Sequence, residues 1–293
     1  MKIRTLYVSD MDGTLLGADS RVSADSRSML NEAIREGALF TVATARTPAT
    51  VAGLLEGIDI KLPTAVMTGS ALWNPATGKY SNVKYIARNE VEKAIEIYKE
   101  AGLPTFIYTL EEGMIHIYHT GTLNLEEYKF LEERLHTPFK MAHVSLSSPD
   151  RLPESLDHVI LFFAIQSSLR AEQVAAVLRE KLRSTVMCYH DSYGPWVSLL
   201  EMFAEGSSKA RAVLELAEIA GAERIVAFGD NLNDLPMLRI ADVAVAVGNA
   251  VEEVKSEANV IIGKNTDDAV AKFILEDLRR NNGRLVSTEK LSK

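Results

Sequence analysis

Short apolar runs, each breaking off into a polar loop and then into a helical pattern, constrain this chain more than any other feature. Residues 3–9 run into Asp10-Met11-Asp12-Gly13-Thr14, and residues 38–43 run into Thr44-Ala45-Arg46, ahead of a helix opened by Thr47 and Pro48. Residues 65–67 form a short third strand, and residues 225–228 a fourth that ends in Gly229-Asp230-Asn231-Leu232-Asn233-Asp234. Buried strands alternating with helices make a doubly wound α/β fold around a mainly parallel sheet, of the Rossmann-like kind. Such sheets bind ligands just beyond the carboxyl ends of their strands, which is where these polar loops fall.

The loops carry the residues of an anion and metal site. Asp10 and Asp12 lie two residues apart at a strand end, and if both face one pocket their repulsion raises one pKa unless a proton or a cation sits between them. Gly13 permits a tight turn and Thr14 adds a hydroxyl. Asp230 and Asp234 bring two more carboxylates, and four cannot all be ionised in one cleft without a cation. Asp10, Asp230 and the backbone carbonyl at Asp12 form a hard oxygen set suited to Mg²⁺ bridging to a phosphate. Lys209 opens a helix capped by Ser207 or Ser208 and stopped by Gly221; a cation there opposes the helix dipole, a misfit that a bound anion removes. Pro236 suits the first turn of a short helix that Asn233 would cap.

Composition excludes several classes. The 293 residues are 47% hydrophobic and 25% charged, ordinary for a globular chain of one large or two modest domains. A net charge of −8 disfavours nucleic acid and anionic membranes as partners. Asp10 and Asp12 interrupt any signal-peptide core, and the longest apolar run, 159–165, is too short to span a bilayer. The single cysteine, Cys188, cannot form an intrachain disulfide, so a cytoplasmic location is expected. None of the six histidines lies in the polar loops, and His116 and His119 point to opposite faces of one strand, so they cannot chelate one ion together. Trp73 and Trp196 read as packing residues.

Near Ile86 the βα rhythm changes. Asn89 to Glu92 suggest a capping box before a helix that buries Val91, Ala94, Ile95 and Tyr98. Residues 105–110 and 114–119 pair as a hairpin, 126–135 and 171–182 are helical, 157–166 is a strand, and 185–190 and 196–203 form a second hairpin turning through 193–195. This α+β segment interrupts the sheet domain. The alternation resumes with the Lys209 helix, strands at 225–228, 243–247 and 260–262, and a final helix over 265–281 closed by Asn282-Gly283, leaving 284–293 as a polar tail.

Asp-x-Asp-Gly-Thr at 10–14, Thr44 behind the second strand, Lys209, and Gly-Asp-x-x-Asn-Asp at 229–234, in that order, resemble the haloacid dehalogenase-like superfamily of phosphohydrolases. Ala-Val-Gly-Asn-Ala at 246–250, followed by Lys255, Ala258-Asn259 and Asn265, further resembles the end of its Cof-type subgroup. The resemblance covers residues 1–84 and 204–283. It implies a discontinuous catalytic core of 1–84 and 204–293 with an α+β cap domain over 85–203. It implies that Asp10 is the nucleophile, that Asp12 is the general acid and base, and that Thr44, Lys209 and Asn233 hold the transferring oxygens beside Ala45 and Arg46. Asp10, Asp12, Asp230 and Asp234 would serve Mg²⁺, with Asp234 either on the metal or orienting Lys209.

The implied activity is a Mg²⁺-dependent phosphatase acting through an aspartyl-phosphate on a small phosphorylated metabolite, a sugar phosphate or similar monoester. A phosphomutase of the same superfamily and a non-enzymatic phospho-acceptor module are the alternatives, and monomer and homodimer are both open. Two positions depart from the subgroup: Ala45 stands where Gly is usual, and Thr68-Gly69-Ser70 where Asn-Gly-Ala is frequent. Substrate selection is expected from the cap, with the His116 and Tyr118 face of its strand lining the roof.

Overall fold

The computed structural model describes residues 3–132, 137–145, 148–190 and 196–289. Two compact units divide the chain: Met1–Ser81 with Ser208–Lys293, and Asn82–Ser207.

All five residues of β1 (Thr5–Ser9) are buried. The helix α1 (Ala24–Arg35) begins where the Ser23 side chain accepts the Ser26 N–H, an N-cap. The strand β2 (Leu39–Val42) leads to α2 (Pro48–Leu54), with Pro48 in the first turn. Then β3 (Thr64–Val66), β4 (Ala71–Trp73) and β5 (Tyr80–Ser81) form a small antiparallel sheet that meets the main one through a single bridge, Ala43 opposite Ala65. The run at 65–67 is thus the start of a hairpin, not a full central strand. Met67, Thr68 and Gly69 all have left-handed backbone (φ 49°, 55° and 82°), which turns the chain back on itself.

The second unit comprises α3 (Arg88–Glu100), β6 (Thr105–Glu111), β7 (Met114–Thr120), α4 (Leu125–Glu132), β8 (Lys140–Ala142), β9 (Val159–Ser167), α5 (Ser168–Lys181), β10 (Thr185–His190) and β11 (Val197–Phe203). Its sheet runs β10-β11-β9-β6-β7-β8. The helices α3 and α5 bury Val91, Ala94, Tyr98, Val174 and Leu178 together with Ile107, Phe162 and Leu200 from the sheet. Asn89 is not a cap: α3 starts one residue earlier at Arg88, behind Ala87, with no side chain closing it. The turn at 193–195 and the end of the helix expected through 135 lie outside the described residues.

The first unit resumes with α6 (Lys209–Ala220), capped by Ser208 and ended by left-handed Gly221, then β12 (Arg224–Gly229), α7 (Leu235–Arg239), β13 (Val243–Ala246), α8 (Glu252–Glu257), β14 (Val260–Ile261) and α9 (Ala269–Glu289). The main sheet has the order β14-β13-β12-β1-β2, with every pairing parallel. Against β1 and β12, α9 contributes Asp277 to the Tyr7 hydroxyl and Phe273 edge-on to Phe228. This helix runs past the stop expected at 282–283 and takes in much of the expected tail, since one glycine costs a helix only about 1 kcal/mol.

Candidate active site

Because β2, β1 and β12 are parallel neighbours, the loops that follow them leave the sheet at the same edge. The ladder continues one step further: the Asp10 N–H donates to Phe228 O at 3.0 Å and the Ala43 N–H to Ser9 O at 2.9 Å. Asp10 is therefore fixed by the sheet itself. Beyond it the chain makes a wide turn closed by the Leu16 N–H on Met11 O, with Gly13 left-handed at φ 72°. A Cβ on Gly13 would lie 2.3 Å from Asp230 Oδ2, so only glycine lets the first and last loops approach this closely. Thr14 Oγ1 donates to Asp230 Oδ1 at 2.8 Å and joins them.

Lys209 lies in the middle of this constellation. Its Nζ donates to Asp10 Oδ1 and to Asp234 Oδ1, at 2.6 Å each, and its side chain is 1% exposed. Burial works against the ammonium, but the two carboxylates outweigh burial and raise its pKa. Burial, reinforced by repulsion from Asp234, pushes Asp10 up to about 8, although Lys209 opposes this. The same two causes push Asp230 up to about 6. Asp234, fully buried, spends its other oxygen on the Asp230 and Asn231 N–H groups, so it binds the loop and Lys209 at once.

Thr44 is buried beside the strand ends and its hydroxyl accepts the Arg46 N–H. Arg46 forms a two-pronged pair with Asp12, Nε to Oδ2 at 2.7 Å and the second prong to Oδ1 at 2.6 Å, which engages both oxygens of the Asp12 carboxylate. Ala45 offers only its backbone to polar chemistry. Asn233 does not cap the short helix: Asn231 caps the turn with Asp234 in a capping box, and Asp234 precedes α7. The Asn233 Oδ1 is instead buried without a hydrogen-bond partner among the described residues. The residues at 249 and 265, noted only through the family resemblance, do contribute here. Asn249 Nδ2 donates to Gly13 O at 2.7 Å, and Asn265 Nδ2 to Leu16 O at 2.7 Å.

Asp10, Asp230 and Asp234 each place a carboxylate oxygen within 4.8 Å of the others, the one such acid or histidine cluster among the described residues. Three buried or half-buried hard oxygen donors this close, with Asp10 and Asp230 raised by burial and by repulsion from Asp234, fit a divalent cation of the Mg²⁺ kind, which would neutralise them. Asp12 does not join this set through its carboxylate.

In the second unit the His116 and Tyr118 face of β7 is partly covered within the unit. Tyr118 packs against the α3–α5 core, and His143 stacks on both Tyr118 and His116, with His116 Nδ1 2.8 Å from His143 Nε2. Tyr118 and His143 also line a cavity of about 450 Å³ bordered by Glu111, Arg151, Glu154 and His158.

A parallel α/β sheet with a buried lysine between two acidic loops at its carboxyl edge defines a class of phosphoryl-handling hydrolases. The chain belongs to the haloacid dehalogenase-like hydrolases, whose family model matches residues 7–274. Among curated proteins it is 27% identical over 272 residues to a 5-amino-6-(5-phospho-D-ribitylamino)uracil phosphatase, YcsE, of Bacillus subtilis, covering 92% of this chain and 94% of that one. It is 25% identical over 286 residues to the pyridoxal phosphate phosphatase YbhA of Escherichia coli, covering 92% and 97%. A haloacid dehalogenase-like hydrolase structure from Bacteroides thetaiotaomicron superposes with a TM-score of 0.71 at 24% identity, over 92% of this chain and 98% of the other.

Proposed function

We propose that this chain is a Cof-type phosphatase that hydrolyses phosphate monoesters of small metabolites with the help of Mg²⁺, Asp10 being the nucleophile. The observation that carries this is the buried Lys209 ammonium, shared between Asp10 at the tip of β1 and Asp234. Relatives named for a ribityl phosphate and for pyridoxal phosphate support a small phosphorylated substrate. The described residues include no helix long and apolar enough to cross a membrane, and a single cysteine, Cys188, which cannot form an intrachain disulfide, suits a reducing cytoplasmic setting.

In the first step an Asp10 oxygen attacks phosphorus, the bond to the leaving oxygen breaks, and Asp12 gives that oxygen its proton. Water then attacks the aspartyl-phosphate, Asp12 takes the proton, and phosphate and Asp10 are regenerated. Lys209, Thr44 and Asn233 hold the transferring oxygens. Asp10, Asp230 and the Asp12 carbonyl would hold Mg²⁺, with Asp234 behind them; bound there, the ion neutralises the carboxylates and the phosphate. Arg46 keeps Asp12 parked until the substrate anion competes for its guanidinium. The unit Asn82–Ser207 acts as a cap that supplies substrate selection.

Beryllofluoride or an acid-quenched phosphopeptide should label Asp10, and Asp10→Asn should abolish both label and turnover. A label on any other residue refutes the assignment.

A further inference from the structure

A chain of asparagine contacts links the two acidic loops, although no strand pairing requires it. Asn265 Nδ2 donates to Leu16 O at 2.7 Å, the Asn265 N–H donates to Asn249 Oδ1 at 2.9 Å, and Asn249 Nδ2 donates to Gly13 O at 2.7 Å. Both ends of the turn that follows Asp12 are thus gripped from β13 and α9's side of the chain. Two residues beyond Asn249, the Val251 N–H donates to Asp230 O at 2.9 Å. One short segment therefore holds the carbonyls of Gly13 and Asp230 together. Between those carbonyls the Thr14 hydroxyl already meets the Asp230 carboxylate.

Three carboxylates within 4.8 Å of one another will spread apart unless the backbones carrying them are fixed, and Mg²⁺ tolerates little departure from octahedral placement. Asn249 is exposed, and its own burial contributes nothing that would require such contacts.

We infer that Asn249, held by Asn265, is a positioning residue that presets the distance between the Asp10–Asp12 turn and Asp230, and so sets the affinity of the site for a divalent cation. This rests on the metal reading above. Losing one outer partner of a metal site typically weakens metal affinity 10- to 100-fold.

The test is calorimetric titration of the full chain with Mg²⁺ alone, in the absence of substrate, with melting curves recorded in EDTA. Asn249→Ala and Asn265→Ala should each raise the Mg²⁺ dissociation constant about tenfold or more, and the double variant should do little worse than either, since the two act through one chain. Asn259→Ala is the comparison: Asn259 Oδ1 accepts the Ala244 N–H at 2.7 Å, on the same side of the sheet order but touching neither acidic loop. It should lower the melting temperature and leave Mg²⁺ affinity unchanged. Unaltered Mg²⁺ affinity in Asn249→Ala, or an equal loss in Asn259→Ala, overturns the inference. A wild-type chain that binds no Mg²⁺ overturns the metal reading itself, a distinct result.

Discussion

Lys209 holds two buried carboxylates apart from bare repulsion, so its removal should be felt in stability as well as in turnover. Lys209→Met should cost about 3 kcal/mol in urea unfolding, as expected when one partner of a buried ion pair is deleted, and adding Asp234→Asn should recover part of it. The carboxylates make a second prediction with a definite sign. With Asp10 raised to about 8 and Asp230 to about 6, the metal-free native chain keeps protons that the unfolded chain has already lost. Its stability therefore falls as pH rises from about 4 to about 8. Melting temperatures in EDTA should show this slope, Asp10→Asn should reduce it, and saturating Mg²⁺ should flatten it; an unchanged slope in Asp10→Asn would remove Asp10 as its source. Most of these residues were legible in the sequence because each ends an apolar run. Asn231 was not: Asn231 and Asn233 are equivalent cap formers on paper, and only the position of Asp234 three residues after Asn231 decides between them.

At the scale of elements, the loop 67–69 carries the most conformational strain near the site. Gly69 presses on Ser208, where a Cβ would sit 2.3 Å from the carbonyl oxygen, and so seats the start of α6 and with it Lys209. The Thr68 N–H donates to Thr44 O, and the Met67 N–H to Arg46 O, both at 3.0 Å. One strained turn thus aligns the Thr44–Arg46 loop with the start of α6. A β-branched residue at φ 55° is disfavoured, whereas Asn adopts this conformation readily. Thr68→Asn should therefore raise the unfolding free energy by roughly 0.5–1 kcal/mol, and a loss of stability would mean that Thr68 packing outweighs its backbone strain. The sequence conveyed the long strands and helices through their apolar periodicity. It did not convey β4, β5 or β8, which are too short for a period to register, nor the continuation of α9 through Gly283.

For the molecule as a whole, the separation into two compact units predicts separable properties. Exchanging residues 82–207 for the equivalent part of a relative should transfer the ranking of substrates while beryllofluoride still labels Asp10. An unchanged ranking would locate selectivity in the first unit. The discontinuity has another outcome, one that concerns synthesis and not catalysis. The strand β1 has β2 on one side and β12 on the other, and β12 begins only at Arg224. As the chain leaves the ribosome, β1 stays open along one edge throughout translation of the insert, whose six strands pair only with one another. Asp10 acquires Lys209, Asp230 and Asp234 only when the last third of the polypeptide has emerged. The acidic cluster around Asp10 is therefore incomplete on the nascent chain until residues 209–234 have been made.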